Sequence, residues 1–232
     1  MIGLAKRLRS YLKRQQLKLD DIHAGVLLNS VLSQGKYFPT TGSSINLHSV
    51  ATVVNDVIIN GRQSVIEFGA GLSTLCLARV VRDFDLDTTI VSVDDNEAWL
   101  DLMSQRLKDE GLEERVSFVF ATLKECEHAK NNLKWYDQAA ISSATDSIST
   151  FDVVLVDGPM AWDRTRQLSR YPAVPFIMPK LSQSYAVYLD DLHRNGEQKI
   201  LKWWETELGA SCVKVNSQFS MLSKGDSFNP VV

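Results

Sequence analysis

The sequence predicts an α/β fold with one mostly parallel sheet and helices on both of its faces. A β-branched run, Ser64-Val65-Ile66, meets a glycine-bearing turn and then an apolar helix, Leu75 to Val81. That strand–turn–helix unit opens nucleotide-type pockets in parallel sheets. Short buried strands then alternate with amphipathic helices to the end of the chain. Acids stand at the strand ends: Glu67, Asp94, Asp157 and the pair Asp190-Asp191. Open α/β sheets bind ligands beyond that edge.

The first twenty residues are basic and amphipathic. Lys6, Arg7, Arg9, Lys13, Arg14 and Lys18 precede the first acid, Asp20. Leu4, Leu8 and Leu12, with Ile2 and Tyr11 nearby, make one apolar stripe at helical spacing. The expected role is a helix packed on the domain or on a second subunit, giving a homo-oligomer through this helix. An anionic membrane surface and an acidic substrate or partner are the other readings of the same pattern. Ile22 to Leu32 continues as helix, and Gly35 to Ser44 is turn-rich, with Pro39 and Gly42 as breakers. Tyr37, Thr41 and Ser43 are lid residues or plain loop. Residues 1–45 thus read as an N-terminal helical extension and cap, and 46–232 as the main domain.

Asn46 caps a helix presenting Leu47, Val50, Val53, Val54, Val57 and Ile58 on one face, ending before Gly61. Thr88 to Val93 reads as the second strand. Asn96 caps a helix running to about Glu110 and stopped at Gly111. Val116 to Phe120 is the third strand. Residues 121–150 are polar and weakly patterned, with a short helix expected near Leu133–Ala140. Phe151 to Asp157 is a buried fourth strand with an acid at its end. A helix containing Leu168 and Ile177 follows, interrupted near Pro172 and Pro175. Tyr185 to Leu189 is the fifth strand and Lys199 to Leu208 a helix. Cys212 to Val215 and Phe219 to Leu222 form a closing hairpin.

Composition narrows the function classes. The 232 residues, 44% hydrophobic, suffice for one substantial core. A net charge of −3 argues against bulk nucleic-acid binding. Cys76, Cys126 and Cys212 are widely spaced and form no C-x-x-C signature, so a reducing compartment is expected, with Cys76 in the core. No apolar run approaches the roughly 18 residues of a membrane span, and no signal-peptide pattern opens the chain. The expected location is the cytoplasm.

The turn Glu67-Phe68-Gly69-Ala70-Gly71-Leu72-Ser73-Thr74 discriminates among ligands. Two glycines let the backbone approach a ligand closely. A dinucleotide turn adds a third glycine beside the pyrophosphate, where this chain has Ser73-Thr74. Glu67 suits an ammonium or sulfonium better than a diphosphate. In these residues the chain resembles the class I S-adenosylmethionine-dependent methyltransferases, whose first motif has the form E-x-G-x-G-x-[ST]. The resemblance spans roughly residues 45–225. It implies a Rossmann-like seven-stranded, mostly parallel sheet with an antiparallel final strand. It also implies a cofactor pocket of Glu67, Gly69, Ala70, Gly71, Ser73 and Thr74, with Asp94 on the ribose hydroxyls. Asp94 follows Gly71 by roughly the twenty-residue separation expected of such an acid; an ordinary capping turn is the other reading. Many relatives place an acid after the third strand for adenine. This chain has Ala121-Thr122, so a backbone or hydroxyl contact at Thr122 would substitute.

Asp157, Asp190 and Asp191 would converge on one pocket, where carboxylates repel unless protonated or bound to a cation. A hard ion such as Mg²⁺ or another divalent cation prefers oxygen ligands of this kind. The layout is similar to the metal-dependent O-methyltransferases of the catechol and macrolide-sugar type, which implies these three acids as metal ligands. The alternative is that Asp157 orients a substrate while Asp190 and Asp191 cap or pair locally. His193 stands close to the same rim, as a base for a substrate hydroxyl or as a capping or surface residue. Trp162, Arg164, Arg170 and Tyr171 follow the Asp157 turn, where acceptor pockets commonly form. The arginines suit an anionic group, or else a solvated helix face; Trp162 suits the acceptor site, the core or a lid.

The expected activity is methyl transfer from S-adenosylmethionine to oxygen of a small polar molecule or sugar, with Asp157 and His193 as catalytic candidates. Metal-independent N-methyl transfer is the nearest alternative. An NAD-binding oxidoreductase is disfavoured by Ser73-Thr74, and a non-catalytic scaffold by three acids it would not need.

Overall fold

The computed structural model describes residues 2–232, with the side chains of residues 2–6, 9 and 10 outside the description. Helix α1 (Ile2–Leu27) and a short α2 (Asn29–Leu32) lead through a loop to α3 (Leu47–Ile59). Strand β1 (Ser64–Phe68), α4 (Leu72–Asp83), β2 (Thr89–Asp94), α5 (Glu97–Asp109) and β3 (Val116–Phe120) follow. A small hairpin, β4 (Leu123–Glu125) and β5 (Lys134–Tyr136), precedes α6 (Gln138–Ala144) and β6 (Phe151–Val156). The chain closes with α7 (Ala173–Ile177), β7 (Leu181–Leu189), α8 (Asn195–Leu208), β8 (Ser211–Lys214) and β9 (Ser220–Lys224).

Seven strands form the main sheet in the order β3-β2-β1-β6-β7-β9-β8. The first five are parallel neighbours, and β9 inserts antiparallel between β7 and β8. The antiparallel final strand is therefore as expected. The chain reverses its direction of sheet growth between β1 and β6, which opens a crevice at their carboxyl ends. Alternate strand residues serve two cores. Val65, Val153 and Leu155 pack with α3, α4 and the end of α1; Ile66, Phe68, Val154 and Val156 pack with α6, α7 and α8.

Local signals act where the sequence places them. Asn46 accepts from Ser49 N at 2.9 Å and Asn96 from Trp99 N at 3.1 Å, each supplying a partner for a helix-start N–H. Cys76 is buried in the core. Several expectations need correction. The helix expected near Leu133–Ala140 starts later, because residues 134–136 pair with β4 and bury Trp135 and Tyr136. The helix expected around Leu168 is reduced to a 3₁₀ turn and the short α7, as its prolines allow.

In the N-terminal stripe, Leu8 and Leu12 are each 56% exposed and Tyr11 is equally open, so these residues do not pack on the domain. Ile2, Leu4, Lys6 and Arg9 lie outside the described side chains. Contact with the domain comes from the later Ala24 and Leu28. Arg79 ties that region down. Its buried guanidinium donates to Val31 O at 2.8 Å and pairs with Glu110 Oε1 at 2.8 Å. No helix among the described residues is long and apolar enough to cross a membrane.

Candidate active site

A cleft of about 890 Å³ lies over the carboxyl ends of β1, β2, β6 and β7. The loop containing Pro39, Thr41 and Ser43 forms one wall, whereas Tyr37 is exposed and does not line the cleft. The floor is the glycine turn. Gly69 has φ of +104°, and a Cβ there would stand 2.9 Å from Gly158 N. Only glycine accommodates both demands without strain. The close approach is fixed by Phe68 O, which accepts from Asp157 N at 2.9 Å.

Gly69, Ala70, Gly71 and Ser73 line the cleft, and so does Asp94. Ala70 N donates to Asp94 Oδ2 at 3.1 Å and Asn96 N to Oδ1 at 2.9 Å. These bonds hold the carboxylate at the mouth of the turn. Burial raises its pKa, with the two N–H donors opposing the rise. Trp99 Nε1 donates to Ala70 O at 2.8 Å and so pins the turn to α5.

Glu67 and Thr74 are placed differently from expectation. Both are fully buried beneath the turn and neither lines the cleft. Ser73 Oγ donates to Glu67 Oε2 at 2.7 Å, and Thr74 Oγ1 donates to Oε1 while accepting from Gly71 N at 2.8 Å. The acid thus organises the turn from below. Burial pushes its pKa up to about 7 against the pull of these hydroxyls. Thr122 is also outside the cleft, its carbonyl accepting from Asp137 N at 2.9 Å.

The opposite end holds the acids. Asp157, Asp190 and Asp191 each present a carboxylate oxygen within 4.8 Å of the others. Asp191 takes φ of +65°, a left-handed conformation that interrupts strand alternation just where two consecutive acids must face one pocket. Arg170 is buried among them. Its Nη2 lies 3.2 Å from Asp157 Oδ1 and 3.0 Å from Asp191 Oδ2, and its Nε donates to Pro159 O at 3.2 Å. Arg194 Nη1 adds a contact of 2.8 Å to Asp191 Oδ2. Burial raises the pKa of Asp157 to about 7 despite Arg170. Burial, then repulsion from Asp157 and Asp191, holds Asp190 well above the carboxylate range. Among the described residues Asp190 has no ion-pair partner, although its side chain is 7% exposed.

Two guanidinium groups contact Asp157 and Asp191 and none contacts the Asp190 carboxyl, which burial and its acidic neighbours therefore favour in the protonated form. The donor set is all oxygen and its members are mutually close, so it fits a hard divalent cation.

Of the acceptor-side candidates, Trp162 and Arg170 line the cleft, as does His193, whose Nδ1 is 3.8 Å from Asp191 Oδ1. Arg164 and Tyr171 do not. Arg164 is exposed on the 3₁₀ turn, and Tyr171 turns away to donate to Glu207 Oε1 at 2.5 Å. Residues not singled out from sequence also line the cleft, notably Tyr136, Met160 and Arg194. Tyr136 belongs to a segment without clear periodicity, and the Trp135-Tyr136 pair was its only signal. A separate hollow of about 670 Å³ between α1 and α8 is lined by Lys13, Arg14, Lys202 and Lys214 and touches the cleft region at His193 and Gln218.

Comparisons with known proteins agree with this architecture. The model of a family described as "Methyltransferase domain" matches residues 66–192. An SAH-bound methyltransferase from Podospora anserina is similar in structure at 14% identity, covering 97% of this chain and 96% of that one, with a TM-score of 0.55. An O-methyltransferase from Streptomyces achromogenes involved in tomaymycin synthesis, solved with SAM, is 14% identical and covers 89% and 90%, with a TM-score of 0.53. An O-methyltransferase from Bacillus cereus in complex with SAH is 15% identical, covers the same shares and has a TM-score of 0.52. No curated protein matches the chain with significance. With the family model spanning β1 through the acids after β7, the chain belongs to the methyltransferase domain family, as an S-adenosylmethionine-dependent methyltransferase of class I.

Proposed function

We propose that the protein transfers the methyl group of S-adenosylmethionine to an oxygen of a small polar molecule or sugar, in a cleft formed by the domain of residues 46–232 under a cap of residues 1–45. One observation carries the reading: a single cleft joins the glycine turn and Asp94 at one end to Asp157, Asp190 and Asp191 at the other. The backbone of Gly69 to Gly71 and the start of α4 would receive the methionine end, with the helix N-terminus favouring its carboxylate. Asp94 would accept from the ribose hydroxyls. Methyl transfer from a sulfonium is an in-line displacement, so alignment of donor and acceptor supplies most of the catalysis.

Asp157 and Asp191, held by Arg170, would fix the acceptor oxygen opposite the methyl. Asp157, with its pKa near neutrality, is suited to receive the acceptor proton. His193 at the rim is a second proton acceptor. Asp157, Asp190 and Asp191 would hold a divalent cation; when bound, it would lower the pKa of an acceptor hydroxyl. Trp162 and Met160, both exposed on the rim, would cover an acceptor.

The apolar residues that α1 leaves exposed, including Leu12, Leu19 and Ile22, support self-association through this helix. A cytoplasmic setting completes the reading.

Calorimetry on ion-stripped protein tests it: titration with S-adenosylmethionine and separately with NAD⁺, then Mg²⁺ added to the cofactor complex. Saturable S-adenosylmethionine binding without NAD⁺ heat is expected, followed by Mg²⁺ heat that Asp190→Asn removes. No S-adenosylmethionine heat from folded, cofactor-free protein would sink the assignment. No Mg²⁺ heat would remove the cation from it.

A further inference from the structure

Tyr136 ends β5 and is 1% exposed, yet it lines the cleft. Its ring is fixed by packing: Phe68 stacks on it at 6.0 Å and Trp135 meets it edge-on at 5.6 Å. The hydroxyl oxygen lies against the glycines that close the floor. A Cβ added at Gly158 would stand 2.2 Å from that oxygen and 3.0 Å from Gly69 N. Gly158 therefore leaves the space that the hydroxyl fills. Among the described residues this hydroxyl makes no hydrogen bond, and it is not one of the fully buried unpaired polar atoms, so it opens onto the cleft. Burial, reinforced by Asp94 and Asp95, keeps the phenol neutral far above its usual pKa. Gly158, beside that oxygen, directly follows Asp157, and Asp94, Asp157 and Arg170 line the same cleft. A rigid, neutral oxygen with free lone pairs thus sits between the nucleoside end and the acid end of the cleft.

We propose that Tyr136 Oη contacts the sulfonium methyl of bound S-adenosylmethionine and orients it toward the acids. The inference rests on the cofactor reading above. A methyl on a cationic sulfur carries polarised C–H bonds, which make C–H···O contacts with a fixed oxygen. S-adenosylhomocysteine has neither the methyl nor the charge and gains nothing from Tyr136. The residue is accordingly a positioning residue, and its signature is preference for one cofactor form over the other.

The test needs no acceptor. Calorimetric Kd values for S-adenosylmethionine and S-adenosylhomocysteine are compared between wild type and Tyr136→Phe, which removes one oxygen from a packed ring. S-adenosylmethionine binding should weaken about fivefold while S-adenosylhomocysteine binding stays within about twofold. Equal weakening of both, or no change in either, overturns the proposal, the first outcome showing a structural role only. Wild-type protein that binds neither ligand overturns the cofactor reading itself, and this inference with it. Should the variant not fold, wild type with [methyl-¹³C]S-adenosylmethionine decides by NMR. A downfield shift of the bound methyl protons is expected, and a position equal to the free cofactor's overturns the proposal.

Discussion

At one end of the cleft, Glu67, Gly71, Ser73 and Thr74 belong to a single strand–turn–helix unit and satisfy one another's hydrogen-bonding groups. At the other, Asp157, Arg170, Asp190, Asp191 and Arg194 come from three segments, and Asp190 remains without an ion partner among the described residues. The first end is organised before any ligand arrives. The second stores unfavourable electrostatics, carried as raised carboxylate pKa values rather than as complete ion pairs. On the proposed function, binding geometry is thus separated from reactive charge. Damage at the turn should cost cofactor affinity, and damage at the acids should cost chemistry.

Asp157→Asn gives the largest expected effect. Turnover should fall by about 10²–10⁴-fold, the range of a lost acid–base group, with S-adenosylmethionine affinity within about twofold of wild type. Loss of cofactor binding as well would break the division between the two ends. Gly69→Val tests the other side. Its positive φ and the 2.9 Å approach to Gly158 N leave no room for a branched side chain. Cofactor heat should vanish in calorimetry, and retained affinity would remove the turn from the pocket.

A smaller effect concerns the pH dependence of stability. Glu67 titrates at about 7 when folded and near 4.5 when unfolded, so the native state keeps its proton to higher pH. Its contribution to stability is complete below pH 4.5 and is lost as pH rises through 7. The difference amounts to about 3 kcal/mol for this buried group. Chemical denaturation at pH 5 and pH 8 should show wild type losing stability over this interval and Glu67→Gln losing less. Parallel curves would place the proton elsewhere.

Cation binding should displace protons from Asp157 and Asp190, since only deprotonated carboxylates serve as ligands. Mn²⁺ titrations in two buffers of different ionisation enthalpy at pH 6.5 should therefore report proton release, and Asp190→Asn should abolish it. The smallest expected effect is at a cap. Asn96→Ala should cost about 1 kcal/mol of stability through the lost bond to Trp99 N. It should loosen cofactor binding only slightly, because Asp94 keeps its bonds from the backbone N–H groups of Ala70 and residue 96.

Much of the glycine-turn end was legible because its causes are local. Glycines in a turn, asparagine caps at Asn46 and Asn96, and an acid closing β2 lie a few residues from the groups they serve. The acids at the far end were legible as strand endings, since strand direction carries them to one edge of the sheet. Burial reversed the local reading of Glu67 and Thr74: chemistry suited to a ligand was used under the turn instead. Tyr171 was drawn off by Glu207 on α8, a partner 36 residues away. Tyr136 was signalled only by its pairing with Trp135, because neither a short hairpin nor an aromatic core has a periodic signature.

The sequence by itself determined the α/β alternation, the sheet edge on which the cleft opens, and the residues that shape the glycine turn. These follow from side-chain periodicity and backbone preference within single elements. Only the tertiary structure decided which polar groups reach the cleft and which are consumed below it. It also decided that Arg170 enters the acid cluster and that Tyr136 and Gly158 share one space. Such outcomes depend on burial and on contacts between distant segments, and no local pattern encodes the low-dielectric surroundings that set the charge of Glu67 and Asp157.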